Sequence, residues 1–177
     1  ARFYGFPYRS SNTNASNSVD AQAIYESSMS LWATVMSHAN LVNHAAGWLE
    51  SGLTASFEKL IIDAEMLQII SESLKPIEVN SENLGVETIK SVGPGGHFFA
   101  TDQTMSSYAT EFYTPMISDW NNFENWEKNG SVTTIERANK AWKTLLKEYK
   151  QPKLDPSVNE ALIEFVEKRK EEISNSH

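Results

Sequence analysis

Within its first hundred residues the chain runs through one succession twice: a short apolar stretch, a polar or glycine-bearing loop, and an amphipathic helix. Residues 3–9 supply the first apolar piece, and residues 10–18 (SSNTNASNS), small and polar apart from Ala15, follow as a loop. From Asp20, a suitable N-cap, the residues Ala21, Ile24, Tyr25, Trp32, Val35 and Met36 recur at helical spacing. Residues 41–46 (LVNHAA), bounded by Asn40 and Gly47, predict a buried strand, and residues 47–56 a loop with two glycines. Phe57, Leu60, Ile61, Ala64 and Leu67 mark a second helix ending before Pro76. A shorter helix is expected over residues 82–91, where a glycine-rich stretch stops it.

This rhythm belongs to a parallel α/β sheet, whose sites lie on loops beyond the C-terminal ends of the strands. Residues 10–18, 44–56 and 93–99 are therefore expected to share one face. Two or three strands are too few to close a barrel, and a (β/α)8 barrel takes about 250 residues. At 177 residues, opening on Ala in mid-pattern, the chain reads as part of something larger.

The remainder is helical and more charged. Thr133-x-x-Glu136 is a capping box. It precedes a packing stripe of Ile135, Ala138, Trp142, Leu145 and Tyr149. Asp155-Pro156 opens a last helix with N-cap and N1 chemistry, and its tail, residues 167–172 (EKRKEE), is a solvated face.

Composition excludes several classes. A net charge of −8 argues against a nonspecific grip on nucleic acid. No apolar run approaches the roughly 20 residues of a membrane span, and nothing at the start resembles a signal peptide. With no cysteine there is no disulfide, thiolate metal site or Cys nucleophile, which fits a cytoplasmic location.

Residues 91–105 (SVGPGGHFFATDQTM) concentrate three glycines ahead of a histidine and two phenylalanines. A P-loop needs Lys and Ser/Thr after its last glycine, where His97 and Phe98 stand, and the dinucleotide pattern needs glycine at Phe98. A glycine turn ending a helix explains the glycines but not His97. The histidines are His38, His44, His97 and His177, with no close ligand pair among them. A metal hydrolase built on His44 and His97 stays open, whereas a serine triad lacks its G-x-S-x-G elbow. Tyr8, Tyr25, Trp48, Phe98 and Phe99, with Asn43, Gln22 and His97, suit a pocket for a small ligand with an apolar cation and a polar end. Plain core packing is the rival explanation for those aromatics.

Several segments together resemble the trimethylamine methyltransferase (MttB-like) family: residues 20–27 (DAQAIYES), 47–59 (GWLESGLTASFEK), 63–66 (DAEM), 92–98 (VGPGGHF) and 112–120 (FYTPMISDW). Trp126, Gly130 and Glu136-Arg137-Ala138 extend the likeness toward the C-terminus. The resemblance implies the C-terminal part of a (β/α)8 TIM-type barrel: residues 1–110 a partial barrel, residues 111–177 a helical extension packed on it. It implies a corrinoid-dependent methyltransferase moving a methyl group from a methylamine or quaternary amine to the Co(I) of a corrinoid (cobalamin) carried by a partner protein. No metal would be bound directly. The partners would be that corrinoid protein, the N-terminal half of the barrel and a homo-oligomeric copy. Members acting on trimethylamine carry pyrrolysine in the loop matching residues 11–16, here SNTNAS. Without that electrophile, a quaternary amine such as glycine betaine is the expected donor. The alternative is a barrel module that binds betaine without chemistry.

The resemblance also shows a departure: His before Thr, common after the Gly-His-Phe piece, is replaced by Gln103-Thr104. The expected substrate-binding set is His97 on the loop of Gly95 and Gly96, Asn43 and His44 at a strand end, and Tyr8, Gln22 and Phe98 around the cation. None is expected to act as an acid or base.

Overall fold

Gly5 and Pro7 decide where the first strand begins in the computed structural model, which describes residues 1–175. Gly5 has φ 68°, and the amides of Tyr4 and Phe6 both return to the Ala1 carbonyl at 3.1 Å. The aromatic residues there form a turn, not the expected strand. Strand β1 is Arg9–Ser11, and it pairs in parallel with β2, Leu41–Asn43, with Arg9 opposite Leu41 and Ser11 opposite Asn43. The buried strand expected over residues 41–46 is thus shorter and more open, with Leu41 54% exposed. It ends at Asn43 because His44 adopts φ 50°, left-handed and incompatible with continuing a strand.

Helix α1, Ala21–Met36, connects the two strands, and Asp20 caps it as expected by accepting from the Gln22 and Ala23 amides. The face it buries differs from the apolar stripe. Ala23, Ser27, Leu31 and Thr34 are buried, whereas Tyr25 and Met36 are exposed. The hydroxyls on the buried face explain the preference, since Thr34 bonds Ser10 at 3.1 Å and Ser27 bonds Asn14 at 3.1 Å.

The segment expected as a loop over residues 47–56 contains an antiparallel hairpin. Strand β3, Trp48–Leu49, pairs with β4, Thr54–Ala55, across a 3-10 turn at Glu50–Gly52. Helix α2, Phe57–Ser73, is capped by Ser56, which accepts the Lys59 amide, and it ends before Pro76 as expected. Helix α3 is Val86–Val92, shorter at its start than expected, because Gly85 in the left-handed region opens it. Helix α4, Asp102–Ser107, and helix α5, Phe123–Lys128, follow. Helix α6, Thr134–Glu148, starts on the capping box: the Thr133 amide donates to Glu136 at 2.7 Å and the Glu136 amide to the Thr133 hydroxyl at 3.3 Å.

The chain forms two compact units, Ala1–Thr144 and a second beginning at Leu145. In the first, Ile61 and Ile62 of α2 pack with Ile117 and Ala138, flanked by Val19, Ile24, Ala141 and Trp142. Residues beyond 110 therefore supply the same core as the helix following β2. In the second unit, Asp155 caps helix α7, Pro156–Ser174, with Pro at its start. His177 lies outside the described residues.

The architecture is mixed α/β and mostly helical, with one parallel strand pair among the described residues. Large apolar side chains stand open in the first unit, among them Phe3, Met29, Ile77 and Phe99. None of the described helices is long and apolar enough to cross a membrane.

Candidate functional site

Residues 10–18 turn part of their polar set inward, with Asn17 and Ser18 left exposed. Asn12, Asn14 and Ser16 are buried, and their hydrogen bonds join the C-terminal ends of both parallel strands to the helices behind them. Asn14 donates to the Ala23 carbonyl at 3.0 Å and accepts from the Ser27 hydroxyl. Lys59, fully buried on α2, donates to Ser27 at 2.6 Å and to both Asp63 oxygens at 2.5 and 2.6 Å. Asp63 also accepts the Gly47 amide at 2.9 Å. One chain of bonds thus runs from the loop after β1, through α1 and α2, to the loop after β2. A buried charge is tolerated only when paired and bonded in this way.

Asn12 makes a second link. Its amide meets the Asn43 carbonyl at 3.4 Å, and its side-chain Nδ2 donates to the Ala45 carbonyl at 3.0 Å. Its Oδ1 is buried and has no hydrogen-bond partner among the described residues. Glu26 braces the same loop from outside, accepting the Ala15 and Ser16 amides at 2.8 and 3.1 Å. The Gln22 side chain, then the Ser16 amide, hold the Glu26 carboxyl below its usual range.

Asn43 and His44 sit where expected, at the C-terminal end of β2. The His44 ring lies edge-on to Trp48, 5.1 Å between centroids. Its left-handed backbone is the kind of local strain that gathers at functional positions. Tyr8 is placed differently. It precedes β1, its amide donating to the Asn40 side chain at 2.8 Å, so the parallel register puts it at the opposite end of the strand pair from Asn43. Gln22 is exposed, its side chain engaged by Glu26 at 2.8 Å.

The glycine stretch forms a turn after α3. Gly95 has φ 78°, and Gly96 must lack a side chain because a Cβ there would lie 2.6 Å from the Val92 carbonyl oxygen. His97 is exposed beside Phe99 at 5.9 Å, and no hydrogen bond or ring contact joins it to Asn43 or His44 among the described residues. Phe98 lines a cavity of about 690 Å3 with Lys75, Gln103 and Thr104. Gln103 donates to the Glu82 carbonyl at 2.8 Å and packs over Gly85, so it latches α4 to the turn before α3.

Two further carboxylates do structural work that the sequence did not single out. Buried Glu65 accepts the Ile117 and Ser118 amides and the Ser118 hydroxyl. Glu58 accepts from Asn139 and from the Trp142 indole, both at 2.7 Å. The described residues contain no group of three or more His, Cys, Asp or Glu able to hold a metal. Asn12, Asn14, Lys59 and Asp63 were missed. The available signal was the i, i+4 spacing of Lys59 and Asp63, within or beside the segments quoted for the resemblance.

Residues 1–174 match the family model described as trimethylamine methyltransferase (MTTB). The chain is 38% identical to a glycine betaine methyltransferase of Desulfitobacterium hafniense, over 98% of this chain and 36% of that protein. It is 32% identical to trimethylamine methyltransferase MttB2 of Methanosarcina mazei, over 95% of this chain and 34% of that protein. The chain thus spans about a third of the length of the curated relatives it matches.

Proposed function

The chain belongs to the trimethylamine methyltransferase family, and from that premise we propose that it is the C-terminal part of an enzyme that demethylates a quaternary amine, glycine betaine or a close analogue. The observation that carries this reading is the 38% identity to a glycine betaine methyltransferase across nearly the whole chain. The loop of residues 11–16 adds support. It holds standard residues, and Asn12, Asn14 and Ser16 are turned inward on structural hydrogen bonds, leaving no electrophile to activate a neutral amine.

A quaternary nitrogen needs no acid or base to leave. The acceptor, Co(I) of a corrinoid on a separate protein, supplies the electron pair of the new bond to carbon. The C–N pair stays on nitrogen, giving a neutral tertiary amine. Positioning and exclusion of water are then the enzyme's contributions. Asn43 and His44 are the residues of this chain best placed to line the pocket. His97, Gly95, Gly96 and Phe98 would join them through strands outside these residues, in a (β/α)8 barrel that includes the parallel pair. The open apolar side chains of the first unit are consistent with such a completion.

The test is methylation of a Co(I) corrinoid protein by glycine betaine, followed by its absorbance change, with the complete polypeptide that carries this segment. Methyl transfer from glycine betaine supports the reading, and no turnover across a panel of quaternary amines overturns it. Calorimetric binding of betaine without transfer would instead identify a binding module.

A further inference from the structure

We propose that Asn12 and the buried Lys59–Asp63 pair are positioning residues for His44, fixing the left-handed backbone that presents its ring at the end of β2. The assignment of a substrate-facing role to His44 rests on the reading above, but the positioning itself does not.

His44 adopts φ 50°, a region uncommon for residues with a Cβ, though histidine visits it more readily than most. The backbone on either side of it is gripped from inside. Asn12 spans His44, its amide donating to the Asn43 carbonyl at 3.4 Å and its Nδ2 to the Ala45 carbonyl at 3.0 Å. On the far side, the Gly47 amide donates to Asp63 Oδ2 at 2.9 Å. Asp63 cannot swing away, because Lys59 bonds both its oxygens and is itself tied to Ser27. Asn12, Lys59 and Asp63 are fully buried, so these bonds face no competition from water. Three residues, His44, Ala45 and Ala46, separate the Asn43 carbonyl from the Gly47 amide, which leaves the backbone at His44 little choice. Trp48, just past the second anchor, then sets the ring edge-on at 5.1 Å.

A buried ion pair could instead serve stability alone, which a more apolar replacement often serves equally well. The two roles separate by experiment. In the full-length protein with labelled histidine, the His44 ring Cε1–Hε1 signal is assigned by its loss in His44→Gln, and those of His38 and His97 likewise. Asn12→Asp replaces the donor to the Ala45 carbonyl with an oxygen that repels it. Lys59→Met/Asp63→Leu keeps the interior filled while releasing the Gly47 amide, and far-UV circular dichroism checks that both variants fold. The expected result is that the His44 signal shifts or splits in each folded variant while those of His38 and His97 stay in place. Where glycine betaine is turned over, kcat/KM falls about tenfold in both. An unmoved His44 signal in the folded double variant overturns the proposal, whatever happens to thermal stability. If the unaltered protein demethylates no quaternary amine, the proposed function falls, and the His44 signal still decides this inference.

Discussion

Trp142 donates its indole N–H to the Glu58 carboxylate at 2.7 Å across 84 residues of sequence, closing the start of α2 onto α6. Asn139 donates to the same oxygen at 2.7 Å, and Phe57 stacks on the Trp142 ring at 5.0 Å between centroids. The Trp142 bond, then the Asn139 bond, lower the Glu58 pKa from 4.5 to about 2. A carboxylate depressed in the folded state contributes stability above its unfolded pKa and loses it as pH falls through the folded one. The unaltered protein should therefore lose stability between about pH 5 and pH 2 more steeply than Glu58→Gln. Partial exposure leaves only part of the usual strength of a charged hydrogen bond, so Glu58→Gln should cost about 1 kcal/mol at pH 7 and almost nothing near pH 2. Urea midpoints at the two pH values check this.

The glycines of residues 91–105 divide into two kinds. A Cβ on Gly95 meets nothing within 4 Å but has φ 78°, so Gly95→Ala should cost about 1–2 kcal/mol through the backbone alone. A Cβ on Gly96 would meet the Val92 carbonyl at 2.6 Å and the Val92 side chain at 2.7 Å. That contact includes backbone, which cannot rotate away, and Gly96→Ala should cost about 1–3 kcal/mol as α3 loses its last turn. Thermal unfolding measures both costs. Hydrogen exchange separates them, because only the second substitution should deprotect the Val92 and Gly93 amides.

Local chemistry was legible in the sequence. Asp20, Thr133 with Glu136, and Asp155 with Pro156 cap the expected helices, since a cap depends only on residues within one turn. Burial was less legible, because hydropathy places polar residues outside. SSNTNASNS read as a small polar loop, yet Asn12 and Asn14 are fully buried. Likewise Lys59 and Asp63 have the spacing of a surface pair. The first strand was misplaced for the same reason: β1 is Arg-Ser-Ser and carries no apolar signal. For the candidate site, Asn43 and His44 were placed by the rule of strand ends. Tyr8 was not, because the true start of β1 was hidden by its composition.

Gln103 bonds the Glu82 carbonyl at 2.8 Å from a half-buried position. Its amide oxygen would lie 2.9 Å from a Cβ on Gly85. Its role in these contacts is to hold α4 against the turn before α3. Gln103→Ala should lower stability by about 0.5–1.5 kcal/mol, the net value of one such bond. It should speed exchange around Gly85 and leave the turnover of a quaternary amine by the full-length protein within about twofold. A tenfold loss of turnover with little loss of stability would make Gln103 a substrate contact instead.

Residues 114–120 are held from two directions, and the carboxylate is the stronger grip. From α2, buried Glu65 takes the amides of Ile117 and Ser118 and the Ser118 hydroxyl. From α6, Arg137 donates to the Ile117 carbonyl at 2.5 Å and to the Thr134 hydroxyl at 3.0 Å. Ile117 is thereby fixed in the core beside Ile61, Ile62 and Ala138. Glu65→Gln keeps the shape but turns one acceptor oxygen into a donor facing other donors. At least one buried N–H then loses its partner, at a cost of about 2–4 kcal/mol. Arg137→Lys keeps the charge but not the planar fork, and should cost less, about 1 kcal/mol. Hydrogen exchange at the Ile117 and Ser118 amides should accelerate far more in Glu65→Gln than in Arg137→Lys. The reverse order would place the anchor of this segment on α6 rather than α2.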